Sequence, residues 1–149
     1  MIYEGKRVLL YCPRCETPVS KAEVAMDNSY RTVTEEAVTV KFKVQMPSAE
    51  DAYLCAWTTT PWTLPANVAL AVHPDGEFAR FIGCEYERLY GGGTGRVVAA
   101  DFVTKEEGTG VVHVAPMYGE DDFGVGQKYG LPVVQMLDRL RLRKSQSDA

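Results

Sequence analysis

Hydrophobic positions in this chain fall in short runs separated by polar turns. Val38–Val44 alternates with period two: Val38, Val40, Phe42 and Val44 face one way, Thr39, Lys41 and Lys43 the other. Arg7–Tyr11 is a short apolar run, and Tyr53–Trp57 and Val68–Val72 are apolar enough for buried strands. Phe78–Ile82, Arg96–Val103 and Gly110–Val114 are further β candidates. Gly119–Gly130 breaks the pattern, with acids at its start, Lys128 near its end and a glycine at the stop, the charge order of a helix. Its internal Gly124 and Gly126 weaken that helix. Many short strands must close their edges, so the pattern predicts a mixed α and β, β-rich fold: a curved, barrel-like sheet with one or two helices.

At 149 residues the chain suits a single domain, 1–149. A chain of this size can bury roughly 68–70% of its unfolded surface. With 46% hydrophobic and 24% charged residues, general disorder is excluded. No stretch approaches the ~18 uncharged apolar residues of a membrane span, and MIYEGKRVLLYC lacks the apolar run of a signal peptide. A cytoplasmic protein without a membrane partner is the expectation. A net charge of −4 argues against general nucleic-acid binding through phosphates, yet leaves room for a local pocket that grips a nucleic-acid end. Gly91–Gly95 (GGGTG) reads as a flexible connector, and the tail 137–149, basic and then polar, as a segment that frays.

Three features are candidates for chemistry. Thr58–Pro65 (TTTPWTLP) places four threonines within six residues directly after an apolar strand. Such a rim offers donors and acceptors without a strong base, which suits binding a polar group or orienting a water. On composition alone the plainer reading, a strand end rich in β-favouring threonine, comes first. In Gly108–Asp122 (GTGVVHVAPMYGEDD), two glycines allow an unusual turn before a strand on which Val111 and His113 share a face. Asp122 follows in the first turn of the predicted helix, so His113 and Asp122 can converge where strand ends and helix begins. There a carboxylate can bind an ammonium group, and an imidazole can donate, accept or exclude by shape. The plainer readings are a half-exposed strand histidine and an acid favouring the helix dipole. Third, Cys12 and Cys15 form a CxxC knuckle, half of a tetrahedral zinc site, while Cys55 and Cys84 stand isolated. A glycine-rich phosphate loop, a GxSxG elbow and an HExxH pair are all missing, so nothing here activates ATP.

Together, TTTPWTLPANVALAVHP and ADFVTKEEGTGVVHVAPMYGEDDFGVGQKYGLP closely resemble the editing (connective-peptide) domain of isoleucyl-tRNA synthetases. The upstream YCPRCETPVSKAEV is similar to the segment leading into it, and the resemblance runs from about residue 8 to about 134. The sister domains for valine and leucine carry a TTRP-type motif with an acid soon after, where this chain has Thr60, Pro61 and Trp62. The resemblance implies a curved, barrel-like domain that hydrolyses valine wrongly esterified to isoleucine tRNA. It places Thr58, Thr59, Thr60 and Thr63 around the substrate, with Trp62 and Asn67 shaping or hydrogen-bonding the pocket. It gives His113 the task of limiting side-chain size and Asp122 that of holding the α-ammonium.

The implied partners are the acceptor end of tRNA(Ile) carrying valine and the remainder of the synthetase. No cofactor is implied for hydrolysis, and zinc only if the Cys12–Cys15 half-site is completed elsewhere. The family's domain usually carries a further segment between its motif-bearing halves, which GGGTG here bridges by a shorter route. Two other classes of function stay open: a freestanding deacylase acting in trans, and a non-catalytic module that binds an amino acid or adenosine. A zinc-ribbon interaction module is the weakest option, with two of four ligands present.

Overall fold

The computed structural model describes residues 2, 4–5, 8–26, 28–46, 51–104 and 108–136. The tail 137–149 lies outside the described residues, as does Arg7 of the first apolar run. In chain order the strands are β1 (Leu10–Cys12), β2 (Thr17–Val19), β3 (Val38–Gln45), β4 (Ala52–Thr58), β5 (Ala69–Val72), β6 (Glu85–Glu87), β7 (Thr94–Ala99) and β8 (Val111–Val114). Helix α1 (Lys21–Val24) follows β2, and α2 (Glu120–Tyr129) follows β8. Two 3-10 turns, Pro61–Ala66 and Glu77–Phe81, flank β5.

β1 and β2 form a small antiparallel hairpin. The other six strands make one sheet in the order β4-β3-β6-β7-β5-β8, with β5 and β7 parallel and the other neighbours antiparallel. The two edges of that order, β4 and β8, lie against each other, so the sheet curls into a nearly closed barrel. Closure removes the exposed edges that short strands would otherwise present.

Alternation along each strand sorts the apolar residues into two layers. Phe42, Leu54, Leu70, Val72, Tyr86, Val97 and Val111 fill the interior, with Phe42 and Tyr86 edge to face at 5.2 Å between ring centroids. Fully burying a side chain such as Phe42 or Leu70 is worth about 1.5–3 kcal/mol. On the other face, the small Ala69, Ala71 and Ala100 join Val98 and Val114 under Val125 of α2. Small residues here let the helix come close. Gly126 does the same from the helix side: a methyl added to it would sit 2.9 Å from Cβ of Pro116. That close approach is why a glycine costly to a helix stands at this position.

The alternation predicted for Val38–Val44 is β3, and Gly119–Gly130 is α2 with its two boundary glycines as caps, Gly130 in the left-handed region at φ 62°. Phe78–Ile82 is not a strand. Glu77–Phe81 forms a 3-10 turn, whose period of three carries both Phe78 and Phe81 to the interior layer, their centroids 6.4 Å apart. Arg96–Val103 is a strand only to Ala99, where Val103 N–H turns back to the Ala100 carbonyl. Within GGGTG, Gly91, Gly92 and Gly93, all at positive φ, turn β6 into β7, and Thr94 and Gly95 already belong to the strand. β2, α1 and β6 are too short to stand out in the hydrophobic pattern.

Candidate functional site

The site builds at the seam where the barrel closes. β4 ends at Thr58 and feeds the 3-10 turn Pro61–Ala66, while β8 brings His113 to the same place from the opposite edge. Thr58 is buried, and its Oγ1 accepts from the Thr60 amide at 3.0 Å and lies 3.2 Å from Thr60 Oγ1. Thr63 Oγ1 donates to the Thr60 carbonyl at 2.8 Å and lies 3.1 Å from His113 Nε2. A threonine hydroxyl has one proton. With that proton on the Thr60 carbonyl, Thr63 accepts from Nε2–H, which fixes the neutral Nε2–H tautomer of His113. Nδ1 is then a buried acceptor without a hydrogen-bond partner. Burial also pushes the His113 pKa down, favouring the uncharged ring.

Asp122 reaches the end of β8 from the other layer. It stands in the first turn of α2, and its Oδ2 accepts from the Ala115 amide at 2.9 Å. Desolvation raises its pKa first of all, the Ala115 hydrogen bond works against that shift, and Asp121 adds to it. The carboxyl is held in place by that hydrogen bond, and among the described residues no cation pairs with it.

The remaining predicted residues divide. Thr59 is exposed at the rim, and Trp62 is 66% exposed at the first turn of the 3-10 segment. Asn67 is buried, and its side chain is engaged at both ends: Nδ2 donates to the Ala69 carbonyl at 2.9 Å, and Oδ1 accepts from the Tyr86 hydroxyl. It therefore supports the motif from below and shapes it, rather than offering its amide to a ligand. Cys12 and Cys15 sit at the β1–β2 turn, where the Cys15 amide donates to Cys12 Sγ at 3.4 Å. That bond is the main reason the Cys12 thiol titrates below its usual range, while Cys15 is pushed up by its neighbour. A cysteine pair whose first sulfur accepts a hydrogen bond in a tight turn fits half of a zinc site. Among the described residues no cluster of three metal-ligating side chains forms.

Sequence reasoning passed over three residues near the site. Trp57 lines a concavity of about 220 Å³ with Phe102, Thr104, Gly108, Thr109 and Val112, on the outer face of β4 beside Thr58. Tyr86 and Arg88 stand beneath the threonine motif, joined to it through Asn67. The short EYE strand gave no signal that its tyrosine reaches a motif 19 positions away.

No protein-family profile matches the chain. It is 41% identical over 180 residues to the isoleucine–tRNA ligase 2 of Bacillus cereus, a match taking in 93% of this chain and 17% of the ligase. The isoleucine–tRNA ligase of Clostridium tetani is 40% identical over 177 residues, with the same coverage. The chain thus spans about a sixth of the length of these relatives. The matched region is longer in the alignment than in this chain, so the relatives carry extra residues inside it. Among solved structures, the fold is shared with a LeuRS–tRNA–LeuAMS ternary complex from Agrobacterium radiobacter K84 (TM-score 0.58, 23% identity, 71% of this chain and 16% of that one). It is shared too with the crystal structure of GlLeuRS-CP1 (TM-score 0.52, 15% identity, 64% and 65%).

Proposed function

Because the chain belongs with the isoleucine–tRNA ligases, matching one segment of them in the fold of a CP1 domain, we propose that it hydrolyses valine wrongly esterified to tRNA(Ile). The observation that carries this reading is the seam itself. The hydrogen bond from His113 to Thr63 joins two motifs 50 positions apart, and Asp122 is held at the end of the same strand.

In this reading the acceptor end of the tRNA lies along the threonine rim, and the α-ammonium of the valine pairs with the carboxylate of Asp122. The uncharged His113 forms a wall that limits side-chain size. The ester carbonyl is already activated, so no covalent intermediate is needed. Water adds to the carbonyl carbon, and the ester bond to the ribose breaks. Valine leaves as the free acid and the tRNA regains its terminal hydroxyl. Hydroxyls of Thr58, Thr59 and Thr60 orient the water and stabilise the developing oxyanion. Asp122 anchors and does not act as the base, because a carboxylate paired to an ammonium has lowered basicity.

The remainder of the ligase is the natural partner. It would supply the two ligands that complete a zinc site at Cys12 and Cys15, where zinc would hold the β1–β2 hairpin. Hydrolysis needs no cofactor in this mechanism.

The test is release of valine from Val-tRNA(Ile) beside release of isoleucine from Ile-tRNA(Ile). Selective release of valine, lost in Asp122→Ala, is the expected result. A folded protein that binds a nonhydrolysable valyl-adenosine analogue tightly and releases neither amino acid would overturn hydrolysis in favour of a binding module.

A further inference from the structure

We infer that Tyr86 of β6 and Arg88, just after that strand, are positioning residues for the threonine-bearing turn and act through Asn67. The inference rests on the hydrolytic reading of the site above, and it concerns what holds the rim in register with His113.

Asn67 closes the 3-10 turn Pro61–Ala66, where its amide donates to the Leu64 carbonyl at 3.0 Å. Two residues fix it, one on β6 and one just after it. Tyr86 donates its hydroxyl to Asn67 Oδ1, and Arg88 donates Nε to the Asn67 main-chain carbonyl at 2.9 Å. Asn67 passes the hold forward by donating Nδ2 to the Ala69 carbonyl at the start of β5. Side chain and main chain of one residue are therefore clamped from one short stretch of chain, β6 and the residue that follows it. A single hydrogen bond leaves a residue free to pivot, whereas bonds to both its side chain and its carbonyl do not.

Tyr86 is fully buried, and a buried phenol needs a partner for its hydroxyl. Its path is kept open by Gly95, its register partner on β7. A methyl added at Gly95 would lie 2.3 Å from both Cζ and the hydroxyl of Tyr86. Apolar packing alone would be served by phenylalanine. The tyrosine and the glycine opposite it point instead to the hydroxyl's bond with Asn67. Arg88 is half-buried and lines, with Glu85 and Arg96, a concavity of about 280 Å³.

The consequence concerns alignment. Thr60 and Thr63 sit on the turn that Asn67 closes, and Thr63 must meet His113 Nε2 across the seam. If Asn67 pivots, the rim moves relative to β8 while the barrel interior stays intact.

The experiment compares Tyr86→Phe and Arg88→Met with Val98→Ala, a cavity variant in the layer beneath α2, all in the full chain. Two measurements are made: kcat and KM for valine release, and amide hydrogen exchange at Thr63 and Asn67. The expected result is a roughly tenfold or greater fall in kcat in both Tyr86→Phe and Arg88→Met with KM little changed. Exchange at the two amides should speed up alongside, and neither effect should appear in Val98→Ala at a similar loss of stability. Gly95→Ala, which displaces the phenol, should reproduce Tyr86→Phe. Unchanged exchange at Thr63 and Asn67 in both Tyr86→Phe and Arg88→Met would overturn the inference, as would equal loss of kcat in Val98→Ala. Should the wild type release no valine, the functional reading fails by itself, and the exchange measurement still decides whether β6 positions the turn.

Discussion

The two faces of β8 are built for different ends. Toward the interior, Val111 and His113 meet large side chains and, at the strand's end, the hydroxyls of the threonine turn. Toward α2, Val112 and Val114 meet alanines and a helix brought close by Gly126. Desolvation acts on the titratable group of each side and pushes both toward neutrality: the pKa of His113 falls and that of Asp122 rises. Their settings differ, however. His113 is joined to Thr63 by a neutral hydrogen bond and closes a surface. Asp122 has one oxygen held by an amide and, among the described residues, no cation beside it. In the proposed function one face supplies shape and the other supplies charge.

The largest effect should follow from removing the charge. In Asp122→Ala the α-ammonium loses its partner, and valine release should fall at least on the order of 100-fold, as expected when a reacting group loses its orienting anchor. Near-wild-type release with normal folding would show that the helix side of β8 is not an anchor. Removing the shape should act on selectivity instead. One methylene is worth only about 1–3 kcal/mol in an apolar pocket, a limit for which isoleucine–tRNA ligases are themselves the standard illustration. Enlarging the wall with His113→Ala should therefore let Ile-tRNA(Ile) be hydrolysed, raising isoleucine release by roughly 10- to 100-fold relative to valine release. If the ratio stays fixed, His113 does not set the size limit.

Much of this arrangement was legible in the chain, and the reasons it was not wholly so are local. The alternation of β3 and the charge order of α2 are strong periodic signals that tertiary contacts had no cause to override. His113 and Asp122 were legible only in part: a short loop brings the start of α2 to the end of β8, but His113 meets Thr63 on the interior side while Asp122 comes from the helix layer. Phe78–Ile82 misled because a period of three over five residues offers too few positions to distinguish from a buried strand. Asn67 was legible as part of the motif but not as a strut, since the residue that engages its Oδ1 lies on a strand of three residues. The glycines of GGGTG signal a turn, yet whether the turn joins strands or domains depends on pairing that no local pattern encodes.

Acidity offers a way to separate the two faces. Binding of a nonhydrolysable valyl-adenosine analogue requires Asp122 as the carboxylate, whose pKa in the free protein lies above its usual 3.8. As pH falls through that raised value, affinity should drop by up to about tenfold per unit, and Asp122→Asn should lose this dependence. Stability shows the two signs side by side. The native state holds the Asp122 proton more tightly than the unfolded chain does, so this group's contribution falls as pH rises from 3.8 through the raised pKa. His113 binds its proton less tightly when folded, so its contribution is present above 6.5 and is lost as pH drops through its depressed pKa. Thermal unfolding against pH for the wild type and His113→Gln should therefore converge in acid. Parallel curves would place the histidine outside the acid response.

The smallest effects test how α2 delivers its carboxylate. Gly124 and Gly126 are two residues apart on one helix, yet a methyl at Gly124 would meet nothing within 4 Å, whereas at Gly126 it would strike Pro116. Gly126→Ala should destabilise by about 1–3 kcal/mol, the usual cost of overpacking. It should also lower valine release, because lifting the helix moves Asp122 away from the Ala115 amide. Gly124→Ala should instead stabilise by about 0.5–1 kcal/mol, since alanine loses less backbone entropy than glycine in an exposed helix. Its activity should be unchanged. Equal stabilisation by both alanines would mean that α2 does not rest on Pro116 through Gly126. The outer face of β8 would then owe its charged group to the helix's sequence alone, not to the closeness of its seat.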